Sequence, residues 1–113
     1  MFDPNKVLID KIKGNGGFIN AHAHFDRAFT VTEDNMDKVV NYHLFDKWKF
    51  VDNFKREAST EVYIQNILSA VQTQRDFGVS AAMTFIDVDS VCGFKALEAA
   101  REAKSIALES GFT

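Results

Sequence analysis

The sequence predicts an α/β fold with parallel strands. Two short, nearly uncharged segments, 18–24 and 79–86, read as strands, and the second has the composition of a strand covered on both faces. Helical patterns precede and follow the second strand, at 61–77 and 94–109. Strands that alternate with helices form right-handed βαβ units and a parallel sheet. Two such strands do not close a core, so we expect the 113 residues to be the N-terminal portion of a larger α/β protein.

The composition excludes several classes of protein. A net charge of −3 gives no basic footprint for nucleic acid or for an anionic membrane surface. A single cysteine excludes internal disulfides and multi-cysteine zinc sites. No apolar run is long enough to span a bilayer, and no basic segment leads into an apolar one at the N-terminus. We therefore expect a cytoplasmic protein that binds neither nucleic acid nor membranes.

The first half of the chain has one strand and a polar, aromatic connection. Residues 1–16 form a lead-in that ends in a glycine-rich break, and the strand 18–24 follows. Residues 25–59 are too many for a structureless loop in a compact domain. Apolar side chains recur there at helical spacing, which predicts one or two short helices. These side chains are Met36, Val39, Val40, Leu44, Trp48 and Val51.

The second half is easier to divide. Ser59 or Thr60 can cap a helix over 61–77, and Gly78 stops it. The strand 79–86 ends at two aspartates. A last helix over 94–109 is closed by Gly111, and residues 112–113 would begin another element.

Two histidines at the end of the first strand are the candidate metal ligands. Residues two apart on a strand point to the same side, so the imidazoles of His22 and His24 converge. They do so at the carboxyl end of the strand, where parallel α/β folds place their active sites. Neutral imidazoles bind zinc or ferrous iron. Asp26 continues the same face if the strand persists, and would orient an imidazole or touch a substrate. The alternative is a solvated polar strand end.

The polar residues after the second strand allow two interpretations. In one interpretation, Asp87 or Asp89 contacts the substrate, because the carboxyl ends of barrel strands carry the active site. In the other, they cap the following helix and form hydrogen bonds within the loop. Cys92 has no basic neighbour in sequence, which favours a structural thiol. Arg27 would bind an anionic group or form a structural ion pair.

Three aromatic residues, Trp48, Phe50 and Phe54, have the spacing of a packed helix face. The alternative is a lid over the site.

Two parts of the chain carry a family resemblance. The first segment, residues 17–30, reads GFINAHAHFDRAFT. The second segment is in two pieces, MTFIDVD at residues 83–89 and GFKALEA at residues 93–99. The first segment resembles the first-strand signature of the amidohydrolase superfamily, and more narrowly of its cytosine-deaminase-like branch. The second is similar to that branch's second strand and helix. The resemblance covers residues 16–111.

The resemblance implies the N-terminal part of a (β/α)8 TIM-type barrel. Residues 17–113 would be its first two βα units and residues 1–16 the lead-in, with no complete second domain. The activity implied is hydrolysis of C–N bonds by metal-activated water, deaminase-like on a cyclic amidine such as cytosine or a related heterocycle. His22 and His24 would hold zinc or Fe(II). The other ligands and the acid/base groups would lie beyond Thr113, so we expect the 113-residue chain alone to be inactive.

The sequence also departs from the family. Seventeen residues before the first strand are too few for the N-terminal part of the small β-sandwich that many relatives carry. Phe85 stands where the branch often has a histidine, and His43 matches no family ligand, which favours an exposed or packing role. The alternatives are amide hydrolysis within the same superfamily, or a non-catalytic truncated barrel that serves as an assembly module. Exposed apolar surface on such a barrel piece predicts homo-oligomers, and the expected enzyme partner is a small-molecule substrate.

Overall fold

A computed structural model describes residues 1–113 and shows two parallel strands with five α-helices. The order along the chain is α1 (Pro4–Gly14), β1 (Phe18–Ala23), a 3₁₀ turn (Phe25–Arg27), α2 (Glu33–Val40), α3 (Leu44–Glu57), α4 (Thr60–Asp76), β2 (Val79–Thr84) and α5 (Lys95–Glu109). The strands pair in parallel, with Phe18 opposite Val79 and Ala23 opposite Thr84. The predicted α/β class and the parallel pairing are therefore confirmed. Closure of the sheet into a barrel stays a prediction.

The lead-in is mostly helical, which the sequence analysis missed. Oδ1 of Asp3 accepts hydrogen bonds from the backbone N–H groups of Asn5 and Lys6, at 2.9 and 3.2 Å. Pro4 follows at the start of the helix, where its missing N–H costs nothing. No residue of α1 is buried. Ile9 and Ile12 are half-buried, and the start of the helix is fixed by its capping residues.

Both strands are shorter than predicted, but their pairing extends past them. At the amino-terminal end, Phe18 N–H donates to the Gly78 carbonyl at 2.8 Å. At the carboxyl end, Phe85 N–H donates to the Ala23 carbonyl, also at 2.8 Å. The free edge of β2 pairs with Thr113, whose N–H donates to Ser80 O at 3.2 Å and whose carbonyl accepts from Ala82 N–H at 2.9 Å. That is the bonding pattern of a parallel neighbour.

Residues 25–59 contain two α-helices, α2 and α3, as the spacing of their apolar side chains predicted. The second, α3, has 14 residues and is longer than expected. The side chain of Asn35 starts α2 by accepting a hydrogen bond from Thr32 N–H at 2.9 Å. The predicted helices over 61–77 and 94–109 correspond to α4, with both ends displaced by one residue, and to α5, with its start displaced by one residue.

The core lies between the sheet and the helices α4 and α5. Small side chains on α5 are almost fully buried, which lets the two helices approach closely. The main cluster comprises Ala23, Phe25, Ile67, Ala70, Val71, Ala103, Ala107 and Phe112. A smaller cluster comprises Ala58, Tyr63, Ala96 and Ala99. Ile19 and Met83 on the strands stay exposed. None of the helices combines the length and apolar composition needed to cross a membrane.

Candidate functional site

The two histidines predicted as metal ligands lie side by side at the carboxyl end of the sheet. His22 belongs to β1, and His24 is the first residue after it. Their Nε2 atoms are 3.2 Å apart, and their ring centroids are 5.2 Å apart. Both side chains belong to exposed residues. The convergence predicted from the i, i+2 spacing is therefore present in the structure.

The distance between the two nitrogens suits a divalent ion. With metal–nitrogen bonds of about 2.05 Å, a separation of 3.2 Å corresponds to an N–metal–N angle of about 100°, close to the tetrahedral value. No group of three or more His, Cys, Asp or Glu side chains in the chain could hold a metal ion. His43 lies exposed just before α3 and joins no such group. The chain thus offers two convergent ligands, and binding of zinc or iron stays a prediction.

Phe85 packs against both imidazoles. Its ring centroid lies 4.9 Å from that of His22 and 5.5 Å from that of His24. The ring is stacked on His24, with 24° between the planes, and is tilted by 45° to His22. In the sequence, Phe85 stands out only as a departure from the family resemblance. Its contact with the histidines depends on pairing between strands about 60 residues apart in sequence.

Asp26 lies near the histidines, but not on their strand. β1 ends at Ala23, so the condition on which Asp26 would share the histidines' strand face is not met; a 3₁₀ turn carries this residue instead. Its carboxylate is buried, and Oδ2 accepts a hydrogen bond from Asp87 N–H at 2.7 Å. Oδ1 is buried without a hydrogen-bond partner. Burial raises the pKa of Asp26, against the opposing effect of the Asp87 N–H. The carboxylate thus links the ends of the two strands, and it bonds to backbone rather than to an imidazole.

Asp87 is the centre of a group of charges at the end of β2. Arg27 binds it with Nε at 3.1 Å from Oδ2 and with Nη2 at 3.0 Å from Oδ1. Lys55 Nζ lies 2.8 Å from Oδ2. Burial alone would raise the pKa of Asp87, but the hydrogen bonds from Lys55 and Arg27 outweigh it and lower the pKa. The structural ion pair considered for Arg27 is thus present, while a substrate contact of Asp87 stays a prediction.

Lys55 joins this group from α3 and was not predicted from the sequence. Its Nζ also lies 2.6 Å from Asp89 Oδ2, and the side chain is buried. Desolvation alone would lower the pKa of Lys55, but the two carboxylates outweigh it and raise the pKa. Nothing in the sequence of α3 marks this lysine, because its partners follow more than 30 residues later.

The loop after β2 is held by its own polar groups. Asp89 Oδ1 accepts from the N–H groups of Val91 and Cys92, each at 2.9 Å, which is the loop-bonding role considered for it. The hydrogen bond from Lys55 is the largest of the contacts that lower the pKa of Asp89. Cys92 is buried and its thiol donates to the Asp87 carbonyl at 3.3 Å. Burial raises the pKa of this thiol, which agrees with a structural role.

The aromatic residues of α3 make separate contacts. Phe54 packs edge-on against Tyr63 of the smaller core cluster, with centroids 5.4 Å apart. Trp48 is exposed and meets Phe45 of the same helix at 5.3 Å. The packing considered for these residues is thus present at Phe54, and a lid over the site stays a prediction.

Comparison with known proteins gives two partial matches. No family model matches the chain. Over 97 residues it is 37% identical to an uncharacterized protein of Haemophilus influenzae (strain Rd), covering 86% of this chain and 35% of that protein. Over 97 residues it is 33% identical to N-isopropylammelide isopropyl amidohydrolase of Pseudomonas sp. (strain ADP), covering 81% of this chain and 24% of that protein. The chain thus spans about a third of the length of the first relative and about a quarter of the length of the second. It is a distant partial homologue of an amidohydrolase.

Proposed function

We propose that this chain forms the first two βα units of a metal-dependent amidohydrolase, in which His22 and His24 hold a divalent ion. The observation that carries the proposal is the 3.2 Å separation of the two Nε2 atoms at the carboxyl end of β1. The partial similarity to an amidohydrolase supports it independently. Zinc and Fe(II) are the ions proposed, since both accept imidazole ligands.

The proposed architecture is a (β/α)8 barrel. In such barrels all strands are parallel and the active site lies at their carboxyl ends. The parallel pairing of β1 with β2, and the position of the histidines, agree with this arrangement. The bonds between Thr113 and β2 have the geometry of a third parallel strand.

The proposed reaction is hydrolytic deamination of a cyclic amidine, such as cytosine or a related heterocycle. Water adds to the amidine carbon, the exocyclic C–N bond breaks, and the nitrogen leaves as ammonia while the oxygen stays on the ring carbon. A bound divalent ion supplies water activated for attack near neutral pH. Within this chain, His22 and His24 supply the ligands, and Asp87 is the candidate substrate contact. Its carboxylate is kept ionised by Arg27 and Lys55. We propose that Asp26 supports the site through Asp87.

The test uses the protein expressed from its natural gene. Metal content is measured by mass spectrometry on protein purified without added metal, and ammonia release is measured on cytosine and related cyclic amidines. We expect zinc or iron to co-purify, and the ion and the activity to be lost together in His22→Ala and His24→Ala. His43→Ala is the matched control and should retain both.

Two results would contradict the proposal. One is wild-type protein that binds no divalent ion under any loading condition. The other is ammonia release that survives substitution of both histidines. Activity on linear amides with none on cyclic amidines would leave the metal site intact but would replace the proposed substrate class.

A further inference from the structure

An exposed phenyl ring beside two convergent imidazoles needs an explanation. The side chain of Phe85 is 56% exposed, although burial would remove its large apolar surface from water. Its ring lies against His22 and His24, with centroids at 4.9 and 5.5 Å. The ring therefore contacts both candidate ligands at once.

The backbone fixes this ring at the end of the sheet. Phe85 N–H donates to the Ala23 carbonyl at 2.8 Å, and Ala23 is the residue between the two histidines. One residue earlier, Thr84 Oγ1 accepts a hydrogen bond from Phe25 N–H at 3.0 Å. The phenyl group and the imidazoles thus extend from two backbone segments that are bonded directly to each other.

The imidazoles have few other restraints. Both histidines are exposed, and the one hydrogen bond between the rings joins Nε2 to Nε2. That bond must be given up when both nitrogens turn their lone pairs to an ion. Each ring also packs against Phe85, and that contact restricts its rotation.

We propose that Phe85 is a positioning residue, whose ring holds the imidazoles of His22 and His24 in the convergent geometry that a divalent ion requires. The inference rests on the proposed metal site and adds a residue that cannot itself bind metal. Its effect is on preorganisation: a ligand already held in its binding conformation loses less freedom when the ion arrives. Supporting residues around metal ligands commonly change metal affinity by about 10-fold to 100-fold.

The experiment measures zinc binding by the protein expressed from its natural gene, by competition with a chromophoric chelator. Phe85→Ala should weaken zinc binding by about tenfold, at the lower end of the range for supporting residues. Phe85→Tyr keeps the ring and should bind within about twofold of wild type. Phe77→Ala is the matched control, because Phe77 is 66% exposed and lies at the opposite end of β2, next to Gly78.

A second measurement needs no metal. In the nuclear magnetic resonance spectrum of the wild-type chain, the carbon-bound ring protons of both histidines should show nuclear Overhauser contacts to the Phe85 ring. Their resonances should be displaced by its ring current and return towards free-histidine positions in Phe85→Ala. Phe85→Leu serves if the alanine variant does not fold. It keeps apolar volume without a flat ring, and should also bind zinc more weakly.

The outcomes separate this inference from the metal site on which it rests. If Phe85→Ala, or Phe85→Leu in its place, binds zinc as tightly as wild type while His22→Ala and His24→Ala do not bind, the positioning role is overturned and the metal site stands. If wild type shows no histidine-dependent zinc binding, both the site and the inference fail. Absence of contacts between Phe85 and the histidine rings overturns the inference without reference to metal.

Discussion

Replacing Gly17 with alanine tests how closely β1 and β2 meet at their amino-terminal ends. Gly17 has φ +78°, a left-handed conformation that side chains rarely adopt. A Cβ added there would lie 2.8 Å from the Gly78 carbonyl oxygen and 2.9 Å from Ser80 Cβ. The same Gly78 oxygen accepts the Phe18 N–H that begins the pairing of the two strands. The added methyl group therefore presses on backbone that the sheet uses.

The neighbouring glycine provides the matched control. Gly16 is also left-handed, with φ +97°, but nothing lies within 4 Å of the position that an added methyl group would occupy. Gly16→Ala should therefore cost only the backbone strain, about 1–2 kcal/mol. Gly17→Ala adds the displacement of β2, about 1–3 kcal/mol by analogy with overpacked cores, for a total of about 2–5 kcal/mol.

The assay is urea unfolding followed by far-ultraviolet circular dichroism. Trp48 is exposed on α3 and is a poor reporter of the sheet, so fluorescence is not the primary signal. We expect both variants to unfold at lower urea concentration with an unchanged slope, and Gly17→Ala to unfold well before Gly16→Ala. Equal free energies of unfolding for the two variants would refute the close approach of the strands at this point.

Three further predictions concern the charged groups. Lys55→Met should lower the free energy of unfolding by about 1–3 kcal/mol, because it removes charge-assisted hydrogen bonds to two aspartates, and Arg56→Met on the exposed side of the same helix should change it little. Arg27→Lys should cost only about 0.5 kcal/mol in the same denaturation assay, since the Arg27 side chain is 49% exposed; a loss above about 2 kcal/mol would contradict this. Asp26→Asn should change the pH dependence of stability. Burial raises the pKa of Asp26, which means that its ionised form destabilises the folded state. Below the ordinary pKa of 3.8 the carboxyl group is protonated and this cost is absent, and the cost grows as the pH rises above 3.8. The variant should gain stability relative to wild type as the pH rises from about 4, and parallel stability curves would rule this out.

The elements with strong local signals could be predicted from the sequence. α4 and α5 have apolar faces at helical spacing and glycines after their ends, and both strands are short apolar segments. The convergence of His22 and His24 followed from strand periodicity alone. α1 was not predicted, although Asp3 followed by Pro4 marks its start and Lys11 and Lys13 lie in its last turn.

The supporting contacts of the site could not be predicted, for a different physical reason. Lys55 meets Asp87 and Asp89, and Phe85 meets the histidines, across sequence separations of roughly 30 to 60 residues. Local periodicity carries no information about such pairs. Asp26 shows the limit within a short range, since the turn after Ala23 removed it from the face that strand alternation assigned to it.

The distance in sequence between the two strands has a consequence for synthesis. Phe18 pairs with Val79, about 60 residues later. At translation rates of about 5–20 residues per second, β1 leaves the ribosome roughly 3–12 s before its partner exists. During that interval Phe18 and Ile19 have no strand to pair with, whereas the backbone hydrogen bonds of α1, α2 and α3 join residues that are already present. A nascent chain that ends between β1 and β2 is therefore the form of this protein in which a ribosome-associated chaperone would find an unpaired apolar strand.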